Sequence, residues 1–107
     1  MRRKCAVLAV LLTLACQKQD DTEKLQKSIV SWKATLQIVA GARLKNDVRD
    51  GFALKTIEEA ADDLEGQTAK TTNERAARLI GLAGELRQAI QRDDRAAIAR
   101  VRDELAR

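Results

Sequence analysis

The densest group of side chains that could do chemistry is a run of carboxylates near the middle of the chain. Five acidic residues fall between positions 58 and 65. In a helix, residues four apart lie on one face, so Glu58 would stand beside Asp62 and Glu59 beside Asp63. Paired carboxylates can bind a hard cation or divide the roles of general acid and base. Clustered charges on a helix are also typical of a solvated surface, and we favour that interpretation.

Other catalytic chemistry has little basis in this sequence. The chain contains no histidine, so it has no Ser-His or Cys-His arrangement, no imidazole metal ligand and no side chain that titrates near neutral pH when unperturbed. The glycines are scattered and form no phosphate-binding loop. We predict that the protein is not an enzyme and that it carries no cofactor and, apart from the carboxylate alternative, no metal.

The single tryptophan offers a second candidate site. Trp32 is in helical register with Ile29 and Leu36, which predicts that its ring packs in a core. A small-ligand pocket beside the ring is the alternative.

The C-terminal part of the chain is rich in arginine. Residues 66–107 contain nine basic and six acidic side chains. Guanidinium groups suit bidentate contact with carboxylate or phosphate, so one interpretation is an anionic partner: a lipid headgroup, a cell-wall polymer or an acidic protein. The simpler interpretation is pairing with the acidic second helix and with Asp103 and Glu104. The candidate partner-binding residues are Arg78, Arg92, Arg95 and Arg102.

The N-terminus has the pattern of an export signal. Basic residues at positions 2 to 4 precede an apolar run that ends at Cys16. The run over residues 5–16 is 12 residues long, whereas a helix that spans the hydrocarbon core needs about 20. The pattern therefore predicts a cleaved signal peptide over residues 1–15 rather than a permanent transmembrane anchor.

The segment from Leu12 to Cys16, with the sequence LTLAC, resembles the lipobox of bacterial lipoprotein precursors. In that family the chain is cut before an invariant cysteine, which receives a diacylglyceryl group. The resemblance implies cleavage between Ala15 and Cys16 and lipid on Cys16, although Thr13 departs from the leucine that is commonest at its position. The resemblance covers residues 1–16 alone. The alternative is an ordinary signal cut near Ala15 that leaves a free Cys16.

The cysteines and the net charge must be judged after the signal is removed. Cys5 leaves with the signal and Cys16 carries lipid, so no disulfide is predicted. The precursor has 20 Lys+Arg and 16 Asp+Glu, but the chain from residue 16 onward has 17 and 16. This nearly neutral balance, together with export, predicts no nucleic-acid partner.

The resemblance also implies a place in the cell envelope. Two or more acyl chains anchor a protein stably to a membrane, and the family's modification supplies at least two. The family's usual signal for retention at the inner membrane is Asp directly after the cysteine, and Gln17 departs from it. In a Gram-negative cell the lipid-anchored protein is therefore expected at the outer membrane, facing the periplasm.

The remainder of the sequence predicts an all-α fold. It has no proline and is rich in Ala, Leu, Arg, Gln and Glu, which favour helices. Residues 16–22 are the lipidated cysteine and a polar tether, and residues 23–107 are expected to form a small up-down antiparallel bundle of three or four helices. The helices are expected at about 23–45, 48–65, 73–92 and 94–106.

Apolar stripes and end signals define these helices. The stripes step by three and four residues, as in helices with one buried face. Gly66 predicts the end of the second helix, and a capping box from Thr71 to Glu74 predicts the start of the third. Asp93 or Asp94 predicts a turn before a fourth helix, with one bent helix over 73–106 as the alternative. The stripes are Leu25, Ile29, Trp32, Leu36 and Val39; Phe52, Leu54, Ile57, Ala61 and Leu64; Ala76, Leu79, Ala83, Leu86 and Ile90; and Ile98, Val101 and Leu105.

Together these features predict a membrane-anchored envelope lipoprotein with a helical interaction or scaffold domain. The alternative is a small ligand- or cation-binding envelope module that uses the carboxylate face or the surroundings of Trp32. A domain this small buries a modest core, so a protein partner or self-association would add burial.

Overall fold

The computed structural model describes the backbone of residues 2–107 and the side chains of residues 21–107. This part of the chain contains no strand, so the predicted all-α fold is confirmed. The predictions for the signal peptide, Ala15 and Cys16 concern side chains outside the described residues. The helices are α1 (Arg2–Leu44), α2 (Asp50–Thr68), α3 (Glu74–Gln91) and α4 (Arg95–Ala106).

The four helices form an up-down bundle around one apolar core. Helices that follow one another in the chain pack together, and α4 returns to pack against α1. α1 also reaches across the bundle to α3. Because α1 contacts all three other helices, its apolar face joins the whole bundle.

The predicted stripes of α1, α3 and α4 supply most of the core. Every member of the α3 and α4 stripes is buried, and in α1 the exception is Trp32, which is partly buried and packs against the core. An indole ring keeps one polar N–H that needs a partner, which suits a place at the margin of an apolar interior. The core members of α1 are Leu25, Ile29, Leu36, Val39 and Ala40.

The predicted core face of α2 is wrong at several positions. Phe52 was placed in the core, but its side chain is 61% exposed. The buried residues are Ala53, Ile57, Ala60 and Leu64, which repeat at steps of four, three and four. Phe52 lies about 100° around the helix from Ala53 and therefore turns away from this stripe. The sequence pattern favoured the larger apolar side chains, whereas two alanines occupy the contact face.

The end of α2 also differs from the prediction. Gly66 was expected to end the helix, but α2 continues to Thr68 and Ala69 is its C-cap. No glycine in the described residues has a positive φ, so Gly66 is an ordinary helical residue. The Ala69 N–H donates to Glu65 O at 3.1 Å and the Lys70 N–H to Gln67 O at 3.3 Å, which closes the last turn without a left-handed residue.

The start of α3 uses a different cap from the predicted one. The N-cap is Asn73, whose Oδ1 accepts hydrogen bonds from the backbone N–H groups of Arg75 at 2.9 Å and Ala76 at 3.2 Å. Thr71 therefore lies before the cap, and Glu74 is the first helical residue rather than the third. Asparagine and threonine are both good N-caps, and the capping-box pattern alone did not distinguish them.

Asn73→Ala is expected to lower the free energy of unfolding by about 1 kcal/mol, because two helix amides lose their acceptor. Thr71→Val, which removes the hydroxyl of the sequence-predicted cap at nearly constant volume, is the matched control and should change stability by less than about 0.5 kcal/mol. Urea unfolding followed by circular dichroism measures both. If Thr71→Val lowered the free energy of unfolding more than Asn73→Ala, Thr71 rather than Asn73 would be the N-cap.

The last two helices are separate, so the alternative of one bent helix is wrong. Asp94 is the N-cap of α4, and its Oδ1 accepts from the Ala97 N–H at 3.1 Å. Asp93 adopts a left-handed backbone with φ of 51°, a conformation that Asp tolerates better than most residues. The pair Asp93-Asp94 therefore makes the break without glycine or proline.

Candidate functional site

The predicted carboxylate pairs face solvent and turn toward different neighbours. Glu58 Oε1 lies 3.1 Å from Arg87 Nη2 of α3, whereas Asp63 Oδ2 accepts from Trp32 Nε1 of α1 at 2.8 Å. Glu59 and Asp62 are exposed. Among residues 21–107, no three side chains of the types that bind metals lie close enough to hold an ion. The acidic face is thus divided between contacts to α3 and to α1.

A small polar network joins α1 to α2 beside Trp32. Gln67 Nε2 donates to Ser28 Oγ at 2.8 Å and to Asp63 Oδ2 at 3.1 Å. Asp63 therefore accepts from both the amide and the indole N–H of Trp32. An open depression at this place is lined by Trp32, Asp63 and polar residues of α1 between positions 23 and 31. The network holds α2 alongside α1. The depression lies where the sequence predicts a small-ligand pocket beside Trp32 as the alternative to core packing.

The candidate arginines do not form one cluster. Arg78 Nη2 lies 3.1 Å from Glu104 Oε2, and Arg102 Nη2 lies 3.6 Å from Asp103 Oδ1. The simpler interpretation of the sequence, pairing with α2 and with these two acidic residues, describes several of the contacts. Of the two remaining candidates, Arg92 is the exposed C-cap of α3 and Arg95 is the first residue of α4.

Arg95 supports the end of a neighbouring helix. Its Nη2 donates to the carbonyl oxygen of Leu44, the last residue of α1, and its Nη1 to Asn46 Oδ1 at 3.4 Å. A cation at a helix C-terminus meets the negative end of the helix dipole and an otherwise unsatisfied carbonyl group. Arg95 is therefore used within the bundle.

Arg43, which was not predicted as a site residue, is the most connected polar side chain among residues 21–107. Its side chain is 11% exposed. Its Nε donates to Asp50 Oδ1 at 2.6 Å, Nη1 to Asn46 Oδ1 at 3.1 Å and Nη2 to Asp93 Oδ1 at 2.8 Å. With Arg95 these residues form what we call the Arg43 cluster. One guanidinium thus ties the connection between α1 and α2 to the connection between α3 and α4.

Both left-handed residues of the described chain belong to this cluster. Asn46 and Asp93 have φ of 60° and 51°, and each ends a helix with the same pair of hydrogen bonds. The Asp47 N–H donates to Ala42 O and the Asn46 N–H to Arg43 O, and corresponding bonds follow α3. This is the Schellman pattern, in which glycine is the usual left-handed residue. Asn and Asp instead supply side chains that bind Arg43.

A signal for the cluster is present in the sequence but is weak. Arg43 lies in the last turn of α1, where a cation is favourable, and Asn46 is a residue that tolerates a left-handed turn. Its contact with Asp93 joins residues 50 apart in the chain. The local sequence pattern cannot predict a contact between residues so far apart in the chain.

The outward face of α1 carries exposed apolar side chains between lysines. Val30 and Ile38 are each 70% exposed, and Phe52 is the other large apolar side chain at the surface of the described residues. Steps of three, four, four and seven residues place one set on the side of the helix opposite Leu36, the last member following directly after the helix, and all of its members are exposed. We call this set the α1 outer face: Lys27, Val30, Ala34, Ile38 and Lys45.

A basic groove adjoins the α1 outer face on the side of α3 and α4. It has a volume of about 380 Å³, and Val30 stands in its wall. Leu79 and Leu82 belong to its apolar lining. Glu104 is its one acidic lining residue, against four basic ones. The basic residues are Lys33, Arg75, Arg78 and Arg107.

No known protein family matches this chain, and no match was found among the curated proteins or the solved structures. Within the described residues, no helix is both long enough and apolar enough to cross a membrane.

Proposed function

We propose that this chain is a membrane-anchored lipoprotein of the cell envelope whose helical bundle acts by contact rather than by catalysis. The observation that carries the proposal is the N-terminal pattern, in which basic residues and a short apolar run lead to LTLAC and Cys16. Cleavage before Cys16 leaves a nearly neutral chain, so the basic character of the precursor belongs to its export signal. In a Gram-negative cell the protein lies at the outer membrane and faces the periplasm.

The surface of the bundle supports a function by contact. Six arginines of the described residues pair with carboxylates within the chain, as Arg78 does with Glu104 and Arg43 with Asp50 and Asp93. The α1 outer face differs because its two large apolar side chains lie in solvent. Exposed apolar side chains bordered by charges are typical of surfaces that meet another molecule.

The alternative, a ligand- or cation-binding module, draws less support from the geometry. Its carboxylates turn to different helices, with Glu58 beside Arg87 and Asp63 beside Trp32. A hard cation needs oxygen ligands that converge on one point.

Cys16→Ser is expected to abolish attachment of lipid, whereas Cys5→Ser, the matched control within the signal, should leave it intact. Cells that express each form are labelled with palmitate, and the N-terminal peptide is analysed by mass spectrometry. The unchanged chain and Cys5→Ser should give a peptide that begins at Cys16 and has the added mass of the acyl chains. Globomycin, an inhibitor of lipoprotein signal cleavage, should leave the precursor uncut. Normal fractionation of Cys16→Ser together with an unmodified peptide from the natural chain would refute the proposal.

A further inference from the structure

We propose that the α1 outer face rests on the anionic phospholipid surface of the membrane that holds the chain. This inference depends on the proposed lipid anchor at Cys16 and adds an orientation of the bundle to it. The docking surface is the α1 outer face with the adjoining basic groove. The exposed face of α2 is directed away from the headgroups.

The charge of α1 matches an anionic surface. Residues 24–46 contain five basic side chains and no acidic one; four of the five are lysines, and the fifth, Arg43, is paired within the bundle. Lys27 and Lys45 border the α1 outer face at its two ends, and the basic groove adds Lys33 and Arg75. Each cation near an anionic bilayer contributes about 1 kcal/mol to binding. The attraction is therefore distributed along the helix rather than concentrated in one pocket.

The apolar side chains of this face suit the headgroup region of a bilayer. Val30 and Ile38 lie eight residues apart, which is about 12 Å along a helix. Both belong to the α1 outer face and are 70% exposed. A deformable flat surface can cover both at once, and the lysine stems can lie along it while their ammonium groups reach the phosphates.

The proposed anchor keeps this face close to the lipid. Cys16 and Lys27 are eleven positions apart, which corresponds to about 16 Å along helix α1 and to at most about 36–40 Å in a fully extended chain. Tethering converts docking into an intramolecular event with a high effective concentration, so a weak surface is sufficient. One basic patch added to acyl chains is a recognised combination of membrane signals.

The charge of α2 determines which side of the bundle faces the membrane in this proposal. Residues 56–69 contain five acidic side chains and no basic one. An anionic surface therefore attracts the α1 outer face and repels α2. Phe52 is an exposed apolar side chain on α2 rather than on the α1 outer face, which makes it the natural control position for Ile38.

The test measures which helix touches lipid in the anchored protein. Cys5 leaves with the signal and Cys16 is acylated, so Ile38→Cys or Phe52→Cys adds the one free thiol, to which an environment-sensitive fluorophore is attached. Protein isolated from membranes is reconstituted into vesicles of phosphatidylcholine with or without phosphatidylglycerol, some with spin-labelled acyl chains as quenchers.

In anionic vesicles the label at position 38 should be strongly quenched and that at position 52 should not. Lys27→Gln with Lys45→Gln should lower the ratio of docked to undocked protein about 30-fold, since each charge contributes ~1 kcal/mol.

Three results would overturn the docking while the anchor stands: equal quenching at positions 38 and 52, quenching at position 38 that ignores phosphatidylglycerol, or protection of position 38 in native membranes but not in pure lipid. The last result would assign the face to an acidic protein partner. Protein that fails to float with vesicles would refute the anchor itself, and with it the docking. Thermal unfolding of each variant checks that the bundle is intact.

Discussion

Leu36→Ala is expected to lower the free energy of unfolding of the bundle by about 3 kcal/mol. Leu36 has no exposed surface, and it lies on the helix that contacts all three others. Removal of its isobutyl group leaves a cavity that neighbours on several helices cannot all close. A domain of this size has a free energy of unfolding of roughly 5–10 kcal/mol, so the variant loses a large part of it.

Urea unfolding at 25 °C, followed by circular dichroism and by Trp32 fluorescence, measures this loss. The matched control is Val30→Ala on the same helix, which removes methyl groups from a side chain that is 70% exposed. It should change the free energy by less than about 0.5 kcal/mol. Similar losses for the two variants would contradict the assignment of Leu36 to the core and Val30 to the surface.

The difference between Leu36 and Val30 could be predicted from the sequence. Leu25, Ile29, Leu36 and Val39 repeat at helical spacing, and burial of one stripe leaves Val30 on the opposite side. The same reasoning identified the buried faces of α3 and α4. Long helices with one apolar face allow such prediction because the period alone determines which side is buried.

The prediction failed in α2 because its contact face is built from small side chains. Ala53 and Ala60 are fully buried, whereas Phe52 is exposed. Alanine contributes little to an apolar pattern, yet it allows two helices to approach closely. Which of two adjacent stripes faces the core is then decided by the neighbouring helices, and local sequence does not contain that information.

The candidate sites also differ in how well the sequence predicted them. The pairing of arginines with acidic residues was anticipated, and Arg87 with Glu58 is an example. The Arg43 cluster was missed because its members come from two connections that are far apart in the chain. The α1 outer face was also not predicted. The sequence does not show whether an apolar residue outside the predicted stripe is covered by another helix.

Arg43→Ala is expected to lower the free energy of unfolding by about 2 kcal/mol. Three side chains lose their donor, and the buried stem of the arginine loses its packing. Asp50 and Asp93 are 56% and 68% exposed, so water replaces part of what they lose and the effect stays below that of a buried ion pair. Arg43→Lys should recover less than half of the loss, because one ammonium group cannot reach three acceptors in the guanidinium geometry.

The loss should be concentrated at one end of the bundle. Arg43 holds the two left-handed residues Asn46 and Asp93, so in Arg43→Ala the amides of residues 44–50 and 92–95 should exchange hydrogen faster than those near Leu79. Arg49→Ala, an exposed neighbour whose side chain makes no cap hydrogen bond, is the matched control and should leave both exchange and stability nearly unchanged. Equal effects of the two alanine variants, or faster exchange spread evenly over the bundle, would show that the contacts of Arg43 do not hold the two connections together.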